Sequence, residues 1–186
     1  MKFQKFFELY ESIGSMPDGY TLEYWSDEED SDDGRFHDKD LYDVADEADR
    51  LVKRLNMHIT RNLNLRIVVF NPSGDVVGAL YEDIGVRNRE DFGGNDAGEA
   101  IDSPNGNILR TYDFTLVVDP NEQGKKIGYT LAQEVEKRAR DEECDLCYVW
   151  VINPKMARIL EYLGFEYWHE PDEIEGKYSS HMIKWM

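Results

Sequence analysis

The sequence predicts a mixed α/β fold, in which a mainly antiparallel central sheet of six to seven strands is flanked by helices. The first indication is the order of the elements: a strand, a helix, three strands, a helix, a strand, a helix and two strands. The second is the segment 108–152, where a strand, a loop, a helix and another strand follow one another. Such a segment forms a parallel crossover, which is right-handed by default.

The strands are predicted from short apolar or alternating runs bounded by turn residues. Residues 20–25 alternate and are rich in aromatic side chains, which is typical of a first strand. Residues 71–75, Asn-Pro-Ser-Gly-Asp, form a hairpin turn between two apolar runs. The predicted strands are 20–25, 65–70, 76–86, 108–118, 146–152, 165–169 and 178–185.

Helical spacing of apolar residues predicts the helices. They are a short amphipathic helix at 2–12, a helix at 41–57, a helix at 129–140, and one that starts at Asn153-Pro154 and ends at Gly164. The residues expected to face the core are Val44, Ala48, Leu51, Val52, Leu55, Leu131, Val135, Ala139, Met156, Ile159, Leu160 and Leu163.

We expect one domain that covers residues 1–186, since the sequence has no repeat and no linker. Residues 1–19 form its N-terminal helix and turn. Residues 27–34 are a solvated acidic loop, and residues 87–107 are a long, glycine-rich loop insertion. Loops of that length in compact domains are often functional.

The charge of the chain limits its partners. The 39 acidic and 21 basic residues give a net charge of −18, which repels nucleic acid and anionic membranes over most of the surface. No run of 18 apolar residues could span a membrane, and the N-terminus is too polar for a secretory signal. We therefore expect a cytoplasmic, acidic protein without nucleic-acid or membrane partners. Its acidity favours cationic partners, although solubility alone also explains it.

The sequence predicts no metal site. Cys144 and Cys147 form a C-x-x-C pair without the two further ligands that zinc needs, so we expect reduced cysteines in or near the core. The four histidines have no common spacing. Residues 29–40 resemble an EF-hand loop in part, but the first position is Glu29 and the last is Asp40. We expect an acidic loop there rather than a calcium site.

The segment 119–128, Asp-Pro-Asn-Glu-Gln-Gly-Lys-Lys-Ile-Gly, is the strongest candidate for a binding site. It lies between a buried strand and a helix, where unpaired N–H groups and the helix dipole attract phosphate. Gly124 and Gly128 allow a close approach of the backbone, and Lys125 and Lys126 add positive charge. Neither the P-loop nor the dinucleotide fingerprint is present. The residues alone are equally consistent with a turn whose lysines serve solubility.

The run from Leu116 to Gly128 resembles the acyl-CoA binding motif of the GNAT superfamily of N-acyltransferases. Gln123 and Gly128 match that motif, whereas Lys126 stands where a glycine is usual. A second signature, Asn153 after a strand and Leu-Gly-Phe at 163–165 after a helix, also resembles the family. The resemblance rests on specific motifs in residues 108–168. Before residue 108 it is loose and rests on the order of the elements from about residue 20, so it covers most of the chain.

The resemblance implies a sheet splayed at the end of the strand 108–118, with acetyl-CoA in the gap as acyl donor. It implies that backbone N–H groups of the loop hold the pyrophosphate, and that main-chain groups of the preceding strand bond the acyl carbonyl and the pantetheine. The cofactor-binding residues that it implies are Leu116, Val118, Gln123, Gly124, Lys125, Lys126, Ile127, Gly128 and Asn153. Asn153 is also a good helix N-cap.

The groups that move protons are not identified by the resemblance. The family's usual acid, a tyrosine, is replaced by Leu160, and Tyr162 lies about 200° further round the helix. Candidate bases are Tyr112, on the strand face of Leu116 and Val118, together with Asp113, Glu82 and Asp83. We take Tyr112 and Glu82 as the catalytic candidates.

These observations favour an acyl-CoA-dependent N-acyltransferase, which transfers acetyl from acetyl-CoA to a primary amine of a small molecule or protein. Its acceptor is expected to be an amine, with a cationic acceptor favoured by the acidic surface. The alternative is a weakly active or inactive GNAT-fold interaction protein, whose acidic surface binds a basic partner. Lys126, Leu160 and the net charge motivate that alternative.

Overall fold

The computed structural model describes residues 16–24, 35–36, 39–55, 63–88, 108–168, 171–174 and 177–186. Within these residues the helices are α1 (Leu41–Arg54), α2 (Ile127–Asp141) and α3 (Pro154–Tyr162). The strands are β1 (Thr21–Tyr24), β2 (Arg35–Phe36), β3 (Lys39–Asp40), β4 (Asn64–Phe70), β5 (Val76–Asn88), β6 (Ile108–Val118), β7 (Leu146–Val151), β8 (Glu166–Tyr167), β9 (Asp172–Ile174) and β10 (Lys177–Trp185).

The main sheet has the order β1-β4-β5-β6-β7-β10-β8, and β9 pairs with β10 as an eighth strand. Every neighbouring pair is antiparallel except β6 and β7, which are parallel because α2 crosses between them. The predicted mixed, mainly antiparallel sheet with flanking helices is confirmed. The small strands β2, β3 and β9 were not predicted, because two or three residues carry no periodicity.

The two faces of the sheet are covered by different helices. On one face, α2 and α3 pack Leu131, Val135 and Leu160 against side chains of β4, β5, β6 and β7. On the other face, α1 packs Val44, Ala48 and Leu51 against side chains of β4, β5 and β6. All six of these helix side chains are fully buried, as their spacing predicts. We call the two sides the α2/α3 face and the α1 face.

Several boundaries differ from the predicted ones. β5 continues to Asn88, since Arg87 and Asn88 pair with Leu109 and Ile108, so these two residues belong to a strand and not to the predicted loop. β8 contains only two residues, and Phe165 before it is a core side chain. The predicted helix 2–12, the acidic loop 27–34 and residues 89–107 lie outside the described residues.

The two cysteines are free and buried, as predicted. Cys147 lies on β7 within the core, and its burial raises the pKa of its thiol to about 12. No helix in the described ranges is long and apolar enough to cross a membrane.

Candidate functional site

A gap in the sheet separates the ends of β6 and β7. The two strands pair only through Thr111, Tyr112 and Asp113 of β6, which face Leu146, Cys147 and Tyr148 of β7. Beyond Asp113 and Tyr148 the strands continue without pairing, so the sheet opens towards Val118. A cavity of about 730 Å³ lies in this opening and is lined by both strands, the loop after β6, and α3. That volume is ordinary for a small-molecule site.

The register of β6 shows which of its main-chain groups face the gap. The backbone N–H of Asp119 donates to the carbonyl of Val77 on β5. Along a strand, the N–H and C=O groups of successive residues point alternately to the neighbour on one side and to the neighbour on the other. Because β5 and β6 pair without a shift, Val117 bonds towards β5. The N–H and C=O groups of Leu116 and Val118 therefore point towards the gap, where β7 has diverged. Both residues line the cavity.

The loop after β6 turns sharply into α2. A short 3-10 turn at Pro120–Glu122 is capped by the Asp119 carboxylate, which accepts from the N–H of Asn121. Gly124 and Lys126 then adopt positive φ angles, of 85° and 65°. A lysine in this left-handed region carries a Cβ penalty of about 1 kcal/mol, which a glycine would not. The usual glycine is thus replaced without loss of the turn.

The N-terminus of α2 opens into the cavity. Its first helical hydrogen bond runs from the N–H of Thr130 to the carbonyl of Lys126, so the amides of Ile127 and Gly128 have no acceptor within the helix. Lys126 is the N-cap and makes no side-chain capping bond. Ile127 and Gly128 line the cavity. These donors and the helix dipole favour an anion at this end.

Gly128 lies where α2 and α3 approach each other closely beside the cavity. A Cβ on Gly128 would lie 2.8 Å from Cε of Met156 and 3.7 Å from Cγ2 of Val118. Met156 comes from α3 and lines the same cavity. A larger side chain at Gly128 would therefore fill the space between α2, α3 and β6.

The two lysines of the loop have different surroundings. Lys126 lines the cavity, but Lys125 does not. The Lys125 ammonium binds the Glu122 carboxylate and the hydroxyl of Tyr20, each at 2.8 Å. The backbone N–H of Lys125 donates to the backbone carbonyl of Glu122. Its charge is therefore neutralised by Glu122 instead of being directed at the cavity.

Two further cations line the cavity, Lys155 and Arg158 on the first turns of α3. The sequence prediction missed them, although their i, i+3 spacing directly after Asn153-Pro154 was visible. Asn153 lines the cavity and caps α3, since its side chain accepts from the N–H of Lys155 at 2.9 Å. With Lys126, three cations and one carboxylate, Glu122, line the cavity of a chain with a net charge of −18.

The catalytic candidates Tyr112 and Glu82 lie away from the cavity. Both are almost fully buried, and the Tyr112 hydroxyl donates to Glu82. Glu82 also binds Arg138 of α2 through two bonds of 2.6 and 2.7 Å, and Arg66 of β4 at 2.9 Å. Burial and the neighbouring carboxylate raise the pKa of Tyr112 far above its ordinary value. We assign this cluster to the core, where it joins three strands to α2. Tyr112 does share the face of Leu116, but α2 covers that end of β6.

Leu160 is fully buried and lines the cavity, so no hydroxyl replaces the missing tyrosine at that position. Tyr162 is 40% exposed and packs on Tyr129, with ring centres 6.2 Å apart. Among the residues that the structure describes, no three His, Cys, Asp or Glu side chains converge as a metal site.

Comparison with known proteins is consistent with this geometry. A family model described as "Acetyltransferase (GNAT) family" matches residues 19–165, which include the segment on which the resemblance rested. No curated protein matches the chain.

Solved structures share the fold. An acetyltransferase of the GNAT family from Streptococcus pneumoniae is 13% identical with a TM-score of 0.57, covering 90% of this chain and 99% of its own. A proposed phosphinothricin N-acetyltransferase is 16% identical with a TM-score of 0.53, covering 90% and 98%. A proposed acetyltransferase from Salmonella typhimurium, solved with its cofactor acetyl-CoA, is 14% identical with a TM-score of 0.53, covering 90% and 94%. At identities of 13–16%, these similarities show a shared fold and nothing more specific.

Proposed function

Because the chain belongs to the GNAT acetyltransferase family, we propose that it is an N-acetyltransferase that uses acetyl-CoA and a primary amine. The observation that carries the proposal is the gap between β6 and β7, with the N-terminus of α2 at its wide end. One end of this cavity suits an anion, and the other presents main-chain groups of β6. An acyl-CoA has phosphates at one end and an amide-rich arm leading to a thioester at the other.

The proposed pose of acetyl-CoA follows from these two ends. The amides of Ile127 and Gly128 and the side chains of Lys126, Lys155 and Arg158 face the phosphates. The pantetheine arm runs along the gap, where Leu116 and Val118 offer N–H and C=O groups to its amides, as a strand would. The thioester then lies at the narrow end of the gap. Gln123, Gly124 and Asn153 line the cavity beside this path.

The proposed chemistry is direct attack of the amine on the thioester carbonyl. An N–H of β6 that donates to this carbonyl stabilises the negative oxygen that develops in the transition state. The ammonium loses one proton and attacks, the C–N bond forms, the nitrogen of the adduct loses a second proton, the C–S bond breaks, and the thiolate of CoA takes up one proton. Leu160 has no proton to give, so the proton that the thiolate takes up comes from another source.

The cavity favours the transferase over the interaction-only alternative. Lys126 adopts a left-handed backbone conformation, which a glycine adopts without strain, and the cavity beside it is open. A protein that used only its acidic surface would have no need for three cations around one cavity.

The test is calorimetric titration of acetyl-CoA into the protein, with ATP as the control ligand. We expect one site that binds acetyl-CoA much more tightly than ATP, since the gap accommodates the pantetheine arm. Gly128→Leu should abolish binding, because its side chain occupies the space beside Met156 and Val118. An absence of binding at millimolar acetyl-CoA by the folded protein would overturn the proposal.

A further inference from the structure

Glu122 is the one carboxylate that lines the cavity among the residues that the structure describes. It ends the short turn after β6 and directly precedes Gln123 and Gly124, which line the same end of the cavity. Its side chain is only 15% exposed. An ionised carboxylate in such a position repels the phosphates of an acyl-CoA, because a partly buried charge is weakly screened. The proposed phosphate end therefore contains one group whose charge opposes binding.

Two neighbouring side chains neutralise this carboxylate. The Tyr20 hydroxyl and the Lys125 ammonium both donate to the same oxygen, Oε2 of Glu122, and the ammonium also donates to the Tyr20 hydroxyl. The ammonium lies 5.4 Å from the centre of the Tyr20 ring. The bond from Lys125, and then the bond from Tyr20, lower the pKa of Glu122 below its ordinary value. Glu122 therefore stays ionised, and Lys125 balances its charge.

The position of Glu122 is fixed from outside the loop. Tyr20 directly precedes β1 and packs against the core cluster of the α2/α3 face. The backbone N–H of Glu122 donates to the carbonyl of Asp119, and the Asp119 carboxylate binds Arg54 of α1 at 2.7 Å. The carboxylate at the cavity is thus held by contacts to two parts of the chain that are distant from the loop in sequence.

A second cluster has the same composition but lies away from the cavity. Tyr24 at the end of β1 donates to Glu134 of α2 at 2.6 Å. The Lys137 ammonium lies 3.7 Å from Glu134 and 5.7 Å from the centre of the Tyr24 ring. None of these three residues lines the cavity. Both clusters connect a tyrosine beside or within β1 to a glutamate and a lysine, so this connection belongs to the fold. Only the first cluster places its carboxylate at the cavity.

We propose that Lys125 and Tyr20 promote the binding of acyl-CoA indirectly, by neutralising Glu122 at the phosphate end of the cavity. Lys125 does not line the cavity, so it is a positioning residue that acts through Glu122. Without Lys125, the Glu122 carboxylate keeps an unbalanced negative charge beside the phosphates. Without Glu122, Lys125 has nothing to neutralise. This inference rests on the proposed binding of acetyl-CoA.

The test is a double-variant cycle on the Kd of acetyl-CoA, measured by calorimetric titration at low salt. Lys125→Met should weaken binding about five- to tenfold, because Glu122 loses its counter-charge. Glu122→Gln should tighten binding about twofold, since the Lys125 charge is then no longer balanced. The double variant Lys125→Met/Glu122→Gln should bind about as tightly as the wild type. The loss caused by Lys125→Met thus falls to about twofold once Glu122 has no charge.

The second cluster provides matched controls. Lys137→Met removes the same charge from the same kind of cluster, and should weaken binding less than about twofold. Tyr20→Phe keeps the ring beside Lys125 but removes the hydroxyl from Glu122, and should weaken binding about two- to threefold. Tyr24→Phe, the matched change in the second cluster, should leave the Kd unchanged. The differences should shrink at about 1 M salt, where the Debye length is about 3 Å.

The outcomes separate the two proposals. A folded wild-type protein that does not bind acetyl-CoA fails the proposed function itself. An equal loss from Lys125→Met with and without Glu122 would show that Lys125 acts on the ligand directly. A loss no larger than that of Lys137→Met would show that Glu122 does not oppose binding. Either of these two results overturns the inference and leaves the acetyl-CoA site in place, and Tyr20→Phe tests the same point in a protein that keeps Lys125.

Discussion

The cations on α3 provide a sharp test of where acetyl-CoA binds. Lys155 and Arg158 line the cavity and are exposed to solvent. Replacing both by alanine removes two positive charges from the proposed phosphate end. An exposed charge pair contributes about 0.5–1 kcal/mol, so the double variant should lose about 1–2 kcal/mol of binding free energy. That loss corresponds to a Kd of acetyl-CoA about 5- to 30-fold weaker.

The chain contains a matched control. Lys137 and Arg140 have the same i, i+3 spacing on α2, are exposed, and do not line the cavity. The Lys137→Ala/Arg140→Ala variant changes the net charge from −18 to −20, as the cavity variant does. Both variants therefore repel the anionic ligand equally at long range, and only the cavity variant removes cations that could contact the bound ligand; the control residues pair with Glu134 and Glu136 instead.

The assay is calorimetric titration of acetyl-CoA at low and at high salt. The difference between the two variants should shrink at about 1 M salt, where the Debye length is about 3 Å. Equal Kd values for the two variants at low salt would refute the assignment of the phosphate end to α3. A loss that does not depend on salt would indicate a packing defect, since screening weakens electrostatic contacts at exposed sites.

Three further predictions concern the surroundings of the site. Lys126→Gly should raise the free energy of unfolding by about 0.5–1 kcal/mol in a urea titration, because a glycine at φ 65° has no Cβ to strain. An unchanged free energy of unfolding would contradict this account of the turn. Glu82→Gln should lower the free energy of unfolding by about 3 kcal/mol, since it leaves Arg138 and Arg66 without their buried counter-charge. In the folded protein, the same variant should leave the Kd of acetyl-CoA unchanged. A changed Kd would return Glu82 to the site. Iodoacetamide at pH 8 should not modify Cys147 in the folded protein, because a buried thiol with a pKa of about 12 is almost entirely protonated at that pH. In urea, where the chain is unfolded, the same reagent should modify it. Rapid modification of Cys147 under native conditions, measured by mass spectrometry, would disprove its burial.

Local patterns in the sequence determined much of the architecture. Helical spacing placed Val44, Leu51 and Leu131 in the core, and the alternation and apolar runs located β4 to β7 within a few residues. These features are predictable because each depends on neighbours within one or two turns or along one strand. The loop 119–128 between strand and helix was found for the same reason.

Tertiary structure decided which side chains reach the gap. Glu82 and Tyr112 carry suitable chemistry, but the partner that removes Glu82 from consideration, Arg138, is 56 residues away. Lys125 next to Lys126 looked equivalent to it until Glu122 and Tyr20 were seen to bind its ammonium. A sequence pattern predicts that a segment is a strand, but it does not predict which helix packs against each end of that strand.

The gap between β6 and β7 shows the same division. Nothing in the local sequence indicates that β6 and β7 stop pairing after Asp113 and Tyr148, since the two strands lie far apart in the chain and their register is a tertiary feature. The sequence by itself predicted the order of a strand, a glycine-bearing loop and a helix, which the structure has at β6, residues 119–126 and α2. Only the folded sheet decided where its strands diverge, because pairing between β6 and β7 depends on the helices and strands that pack around them.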